Sequence, residues 1–327
     1  MLDIITSWLS SISHQIALAT NFTVQPITGD ASARKYYLLN TNNQQFIIMQ
    51  TPNDHSMKNF ITIAEYLSTL NLSCNVPKIY ANSNTSPTAF LLTNYFGDQL
   101  LFKLLNINTA EEIYKLAWQN LSDIQTNAKH KNINLPLMNQ IYIKNNLLLF
   151  KNYYLETHLK LTNITNINNI LSNLENYFVT IFKEQPQVFV HLDYHSKNLI
   201  LNSNKLSILD FQDAMHGPVT YDIVSLLQDA YLVWPEDLTE KILFNYFNKI
   251  NNILLNNISF KDFLRYFYLT GLQRHVKNLG VFARLKYLYK KNNYLQYIPN
   301  LLNYINTTCN KFKEPELIML KQLLCKQ

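Results

Sequence analysis

The apolar residues of this chain change their spacing once, and that change limits the folds open to it. Up to about residue 97, short runs rich in β-branched and aromatic residues alternate with turn signals. YYLL and FIIMQ flank the turn sequence NTNN, and AFLLTNYF ends at Gly97, which predicts an antiparallel hairpin and a further strand. Helical spacing in this part covers residues 4–20 and 58–71. The sequence therefore predicts a small β-rich unit with one long helix following the hairpin.

Beyond Gly97 the apolar spacing is that of helices. Helical patterns cover residues 99–125 and 136–183, with an Asn-rich turn predicted at 161–169, and later 220–232, 237–255, 260–288 and 295–323. Clear strand content in this half is predicted only within residues 186–213. We therefore predict an α+β protein with a β-rich N-terminal lobe at residues 1–96 and a larger, mainly helical C-terminal lobe at residues 97–327.

Charge and cysteine content exclude several classes of function. The net charge of +6 comes from Lys and Arg residues scattered along the chain, without a nucleic-acid-binding motif. Cys74, Cys309 and Cys325 lack metal-ligand spacing, and their odd number argues against a disulfide framework. The N-terminus lacks the pattern of a signal peptide, and no apolar run reaches the ~20 residues of a membrane span. We expect a cytoplasmic protein with no nucleic-acid or membrane partner.

Ionisable residues gather around two short apolar runs in VHLDYHSKNLILNSNKLSILDFQDA, residues 190–214. The runs NLILN and LSILD predict a hairpin around residues 203–205. A three-residue loop would place Asn198 directly opposite Asp210, with Cβ atoms about 5 Å apart. One amide oxygen and one carboxylate at the mouth of a hairpin suit Mg²⁺.

Asp193 stands five residues before Asn198, and this spacing is typical of protein kinases. There a base Asp is followed by a metal-binding Asn and by an Asp after the next strands. The pattern predicts Asp193 as the base that orients an acceptor hydroxyl, and Asn198 with Asp210 as ligands of the Mg²⁺ that bridges the phosphates of ATP. Two alternatives are weaker. A single Asp or Asn there can be a turn former or helix cap, and a zinc site on His191, Asp193 and His195 would lack a further His or Cys ligand nearby.

The motif H-x-D-x-H-x-x-N, followed by a strand that ends in Asp, resembles the aminoglycoside phosphotransferase superfamily, relatives of the protein kinases. LDYHSKNLIL, LDFQDAMHGPVTYDIVSLLQDAYLVWP and LQRHVKNLGVFARL are more narrowly similar to bacterial amino-sugar kinases of cell-wall recycling, as are GDASARKYY and PQVFVHLDYH. The resemblance implies a two-lobed protein-kinase-like fold with ATP in the cleft. It also implies a small-molecule sugar substrate, N-acetylmuramate or N-acetylglucosamine, phosphorylated on the anomeric hydroxyl with ATP and Mg²⁺ during peptidoglycan recycling.

The resemblance also implies roles for residues near the motif. His195 would either donate a hydrogen bond to the γ-phosphate or support the loop. His191 would support the catalytic loop by packing and hydrogen bonding, and Asp222 would tie the same loop down. A first-turn Asp favoured by the helix dipole is the other interpretation of Asp222. Asp213 would face the sugar.

In the N-terminal lobe, the resemblance places Gly29-Asp30-Ala31-Ser32 over the phosphates of ATP. Gly29 and Ser32 would contact the phosphates, with Arg34 or Lys35 adding positive charge. Strand FIIMQ has Met49 and Gln50 where the wider superfamily has a phosphate-pairing Lys. Glu65 on the next helix therefore lacks its usual partner, and Arg34 or Lys35 is the candidate substitute.

Helical spacing places Arg274, Lys277 and Arg284 on one face of the 260–288 helix. The favoured interpretation is a solvated basic stripe, and the alternative is that Arg274 contacts the sugar or a phosphate.

Two other functions stay open for the whole chain. One is a kinase of an aminoglycoside, choline or homoserine, although no dense acidic cluster suits an aminoglycoside. The other is a nucleotide-binding pseudokinase scaffold, suggested by the missing Lys.

Overall fold

The computed structural model describes residues 2–14, 22–27, 34–42, 44–52, 55–83, 88–129, 132–255 and 257–325. Contacts divide the chain into two compact units. The first contains Met1–Lys103 and Lys197–Asp213, and the second contains Leu104–Ser196 and Ala214–Gln327. The lobes at residues 1–96 and 97–327 stay a prediction. The compact units differ from those lobes by grouping residues 97–103 and 197–213 with the N-terminal part.

An antiparallel sheet of five strands forms the centre of the first unit. In chain order the strands are β1 (Phe22–Ile27), β2 (Lys35–Thr41), β3 (Gln45–Pro52), β4 (Ile79–Asn82) and β5 (Thr88–Asn94), and they lie in the order β1-β2-β3-β5-β4. The predicted β2–β3 hairpin and the strand ending before Gly97 are confirmed. Strands β1 and β4 were not predicted, because β1 is largely exposed and β4 has only four residues, so neither shows a clear buried alternation.

Two helices contribute apolar faces to the first unit, α1 (Leu2–Ile12) and α2 (His55–Ser68). Ile5 and Leu9 of α1 are buried in one cluster with Leu39 and Phe90 of the sheet. Helix α1 ends at Ile12, earlier than the predicted residue 20, and residues 15–21 lie outside the described part.

The second unit is mainly helical. In chain order its helices are α4 (Ala110–Asn127), α5 (Gln140–Leu149), a π-helix (Phe150–His158), α6 (Ile164–Lys183), α7 (Tyr221–Leu227), α8 (Glu236–Leu254), α9 (Phe260–Tyr287), a 3₁₀-helix (Asn292–Tyr297), α10 (Ile298–Lys311) and α11 (Pro315–Leu324); α3 (Leu101–Leu104) belongs mostly to the first unit. A short sheet of β6 (Gln187–Val190) with β9 (Met215–Pro218) precedes α7. Helix α9 packs against α10, the π-helix and α5, so most of its faces are buried.

Several predicted helix boundaries in this unit are wrong. The helix predicted at 220–232 is α7, which ends at Leu227. Residues 164–169 are helical, because Asn163 caps α6 by accepting from the Asn166 backbone N–H and Ile167 and Ile170 are buried at helical spacing. The predicted helix at 295–323 is broken at residues 312–314, where the chain is extended before Pro315 starts α11. Among the described residues, no helix combines the length and apolar character needed to cross a bilayer.

Candidate active site

The loop that follows β6 has a strained backbone held by one carboxylate. Leu192 has a φ of 77°, which is rare for a bulky side chain. The backbone N–H groups of His191 and Leu192 donate to the two carboxylate oxygens of Asp222, at 2.6 and 3.1 Å. Asp222 is fully buried in the first turn of α7. Strain of this kind persists only where neighbours fix the backbone, and Asp222 provides that constraint immediately before Asp193.

The carboxyl group of Asp193 is in a strongly positive environment. Burial raises the pKa of this carboxyl, but nearby positive charges lower it by more, and the net pKa is below its ordinary value. The largest lowering effect comes from Lys277, followed by His195, Arg274 and His191. Asp193 is therefore ionised at neutral pH and can accept a proton or a hydrogen bond.

Lys277 is held in place by the buried Tyr221, which is itself hydrogen-bonded to Tyr142. Its Nζ donates to the Tyr221 hydroxyl at 3.0 Å, and the Tyr221 and Tyr142 hydroxyls hydrogen-bond each other at 2.9 Å. Burial raises the pKa of both phenols well above the ordinary value, so they are neutral at physiological pH. Because the two phenols are uncharged, they position the Lys277 cation near Asp193 without cancelling its positive charge.

The rest of the loop is anchored by its own side chains. The Tyr194 hydroxyl donates to the Ala117 carbonyl at 2.9 Å, and Ser196 Oγ donates to the buried Asp229 carboxylate at 2.9 Å. The His195 ring lies edge-on to Tyr231, with ring centroids 5.7 Å apart. His191 is buried, and its ring lies edge-on to Tyr194 at 5.6 Å.

In the first unit, the predicted register of the central hairpin is wrong by one residue. Strands β7 (Leu199–Asn202) and β8 (Lys205–Ile208) pair Asn202 with Lys205, which leaves a two-residue loop. Ser203 and Asn204 in that loop both have positive φ, 48° and 62°, as a tight type I′ turn requires. Asn198 is consequently beside Leu209, whose N–H donates to the Asn198 carbonyl at 3.0 Å, and Asp210 is one residue further along.

Asp210 has an unusual backbone and a cationic partner. Its φ is 63°, and the next residue, Phe211, stacks on Phe60 of α2 with ring centroids 4.8 Å apart. Arg34 Nη1 donates to Asp210 Oδ1 at 3.1 Å, and Arg34 Nη2 donates to Ser56 Oγ at 2.5 Å. The Arg34 side chain is only 8% exposed, whereas that of Asp210 is 42% exposed. The carboxylate therefore faces a positive charge and remains accessible to solvent.

The other predicted site residues of this unit are less closely grouped. Gly29 and Ser32 lie outside the described residues. Lys35 is exposed at the start of β2, and Asp213 is exposed and accepts from the Gln212 amide at 3.0 Å. Gln212 also donates to Asp210 at 3.1 Å and so links the two carboxylates.

The strand position of the expected Lys is taken by buried Met49 and by Gln50, and Glu65 is exposed.

The prediction of a solvated basic stripe is wrong for Arg274. This residue is only 3% exposed, because α9 is covered on most faces by neighbouring helices. Sequence reasoning also missed Lys277 as a neighbour of Asp193, and Asp229 as an anchor of the loop. Asp229 had one weak signal, an acidic residue within the largely apolar run IVSLLQDAYLV. Lys277 had none beyond its helical spacing from Arg274.

The predicted magnesium ligands, Asn198 and Asp210, do not belong to a larger cluster of metal-binding side chains in the described part of the chain. Within the described residues, no three His, Cys, Asp or Glu side chains lie close enough together to hold a metal ion. The oxygens that Asn198 and Asp210 offer are the hard donors that Mg²⁺ prefers, and Mg²⁺ normally needs few protein ligands.

Comparison with known proteins places the chain in a family. The model of the phosphotransferase enzyme family matches residues 23–249. An N-acetylmuramate/N-acetylglucosamine kinase of Pseudomonas aeruginosa is 32% identical over 326 residues, covering 97% of this chain and 94% of that protein.

Solved structures share the fold at low identity. A Plasmodium vivax ethanolamine kinase superposes with a TM-score of 0.67 at 14% identity, covering 93% of this chain and 89% of that one. An ADP-bound aminoglycoside phosphotransferase gives 0.59 at 15% identity, covering 90% and 95%. These structures confirm the predicted kinase-like α+β fold. Because the family model covers most of the chain and the Pseudomonas relative aligns along nearly all of it, the chain belongs to the phosphotransferase enzyme family.

Proposed function

We propose that this enzyme transfers the γ-phosphoryl group of ATP to the anomeric hydroxyl of N-acetylmuramate, N-acetylglucosamine or both. The observation that carries the proposal is the Asp193 loop, where a carboxylate with a lowered pKa follows a strained backbone held by Asp222. The similarity to the Pseudomonas kinase, whose name gives these two sugars, supports the choice of acceptor. A cytoplasmic location agrees with the use of ATP and with cysteines that form no disulfide in the described part of the chain.

Asp193 acts as the base in this proposal. It accepts a hydrogen bond from the anomeric hydroxyl and takes its proton as the oxygen bonds to the γ-phosphorus and the bond to ADP breaks. An anomeric hydroxyl is more acidic than an ordinary alcohol, so a carboxylate suffices as the base. Asp222 and His191 support the loop. His195 either shares that support or donates to the γ-phosphate, and Asp213 faces the sugar.

Asn198 and Asp210 would hold Mg²⁺, which neutralises charge on the phosphates when it is bound. Arg34 is the proposed substitute for the missing phosphate-pairing Lys, because its guanidinium is buried and already contacts the Asp210 carboxylate. Gly29, Ser32 and Lys35 would complete the contacts to ATP. The ADP in the related aminoglycoside phosphotransferase structure supports nucleotide binding here.

A coupled ADP-release assay with Mg²⁺ and the two sugars tests the proposal, with Asp193→Asn as the variant. The substitution preserves shape and removes the base, so we expect kcat to fall by about 10²-fold or more with an unchanged melting temperature. Asp237→Asn, at an exposed acidic position of α8, is the matched control.

Three outcomes contradict parts of the proposal. Turnover of an aminoglycoside, choline or homoserine without turnover of either sugar would replace the acceptor. ATP binding without turnover of any acceptor would support the pseudokinase alternative. Full activity in Asp193→Asn would remove the assigned base.

A further inference from the structure

Arg274 is a buried cation that the described residues do not fully satisfy with hydrogen bonds. It is 3% exposed on α9, and its Nε is buried without a hydrogen-bond partner in the described part of the chain. Within the same residues, Arg274 forms no salt bridge. Burial of a guanidinium is costly unless an anion and hydrogen-bond acceptors compensate for the lost water. A ligand that supplies both would remove this cost.

Arg274 lies near Asp193, the proposed base. Burial raises the pKa of the Asp193 carboxyl, and the charge of Arg274 is among those that lower it, which places the two side chains within electrostatic reach of each other. Burial raises the pKa of Tyr231, and the same arginine opposes that shift. Tyr231 in turn contacts the ring of His195. Arg274 is thus close to the base, among neutral phenols.

Lys277 supplies a second positive charge on the same face of α9. It is three residues from Arg274, a spacing that places both side chains on neighbouring turns. Its Nζ is oriented by the Tyr221 hydroxyl at 3.0 Å. The nearby carboxylate of Asp222 already accepts from two backbone N–H groups of the loop. Two cations therefore flank the Asp193 carboxylate, and the second carboxylate is engaged elsewhere.

We propose that Arg274, assisted by Lys277, binds the lactyl carboxylate of N-acetylmuramate and is the residue that favours this sugar over N-acetylglucosamine. This inference rests on the proposed function, because it assigns a specificity role within the same site. N-acetylmuramate differs from N-acetylglucosamine by a lactyl ether that carries one carboxylate. A guanidinium offers this group a bidentate contact. The transferring phosphoryl group is an anion of similar chemistry, and the experiment separates the two.

The test is a cycle of two enzymes and two ligands. The wild type and Arg274→Gln are assayed for kcat/KM with N-acetylmuramate and with its lactyl amide, which lacks the charge. We expect the wild type to prefer the acid by roughly tenfold or more, the usual size of a hydrogen-bonded charge contact. Arg274→Gln should lose that preference. The ratio cancels any general effect of the substitution on the Asp193 base.

Further arms keep the test decisive. Arg274→Lys retains the positive charge but not the bidentate geometry of the guanidinium, and it should give an intermediate acid-to-amide ratio of kcat/KM. Lys261→Gln, at an exposed position of α9, should leave the wild-type ratio unchanged. An equal loss with acid, amide and N-acetylglucosamine would assign Arg274 to the phosphoryl group and overturn the proposal. A wild type that does not distinguish acid from amide would overturn it without any variant. A wild type inactive on both sugars would instead overturn the proposed function itself, and this inference with it.

Discussion

Two opposing effects act on the pKa of the Asp193 carboxyl. The same burial that shields it from water raises its pKa, and the cations gathered in that buried region lower it. The cations are the stronger influence, so Asp193, the proposed base, is ionised and able to accept a proton across the physiological range. Lys277 makes the largest lowering contribution, although it belongs to a helix far away in sequence.

The pH dependence of Lys277→Met tests this balance. In the wild type the lowered pKa keeps Asp193 ionised well below neutrality, so loss of activity through its protonation is confined to acidic pH. Removal of the Lys277 charge leaves burial less opposed, and the pKa of Asp193 rises. The acidic limb of kcat/KM, measured from pH 4.5 to 8 (about the stable range of many proteins), should therefore move to higher pH. Lys261→Met is the control, and a limb that does not move in Lys277→Met contradicts the assignment.

At the scale of elements, local sequence predicted what local contacts determine. Strands β2, β3, β7 and β8 were predicted because their apolar runs are bounded by Asn-rich turns. The spacing of Asp193, Asn198 and Asp210 is likewise local. The hairpin register was missed because it depends on positive φ values at both Ser203 and Asn204. Asn tolerates a positive φ well, but its presence in a sequence does not show that it adopts one.

Contacts between segments that are distant along the chain could not be predicted from the sequence. Helix α9 has charged residues at helical spacing, and such spacing normally indicates a solvated face. Here α10, α5 and the π-helix cover α9, so Arg274 is buried. The bonds from the Asp193 loop to Asp229 and from Lys277 to Tyr221 also join segments separated by tens of residues. No local sequence pattern indicates which of these segments contact each other in the folded chain.

Gly280 tests how closely α9 packs on the junction between α5 and the π-helix. Ala is normally the more stable choice inside a helix, by about 1 kcal/mol. At Gly280, however, a Cβ would lie 2.5 Å from backbone atoms of Leu149 and Phe150, which cannot move aside as a side chain would. We expect Gly280→Ala to lower the free energy of unfolding by about 1–3 kcal/mol, measured by urea denaturation. Lys261→Ala on the same helix should stay within about 0.5 kcal/mol of the wild type. A Gly280→Ala protein as stable as the wild type would contradict this packing.

At the scale of the whole molecule, the proposed roles divide between the two compact units. Arg34, Asn198 and Asp210, assigned to ATP and Mg²⁺, belong to the first unit, whereas Asp193 and Arg274 belong to the second. The chain passes between the units at residues 103–104, 196–197 and 213–214. Nucleotide binding and base chemistry should therefore be separable by substitution.

Thermal unfolding measures that separation. A ligand present at about 100 times its Kd stabilises the folded state by about 2.7 kcal/mol, so ATP with Mg²⁺ should raise the melting temperature and ATP with EDTA should raise it less. In Asp210→Asn the two conditions should give the same smaller shift, because the charged oxygen that would bind the metal is gone. Asp193→Asn should keep the full Mg²⁺-dependent shift while losing turnover, since its substitution leaves the first unit unchanged. A Mg²⁺-dependent shift that survives in Asp210→Asn, or disappears in Asp193→Asn, would contradict this division of roles.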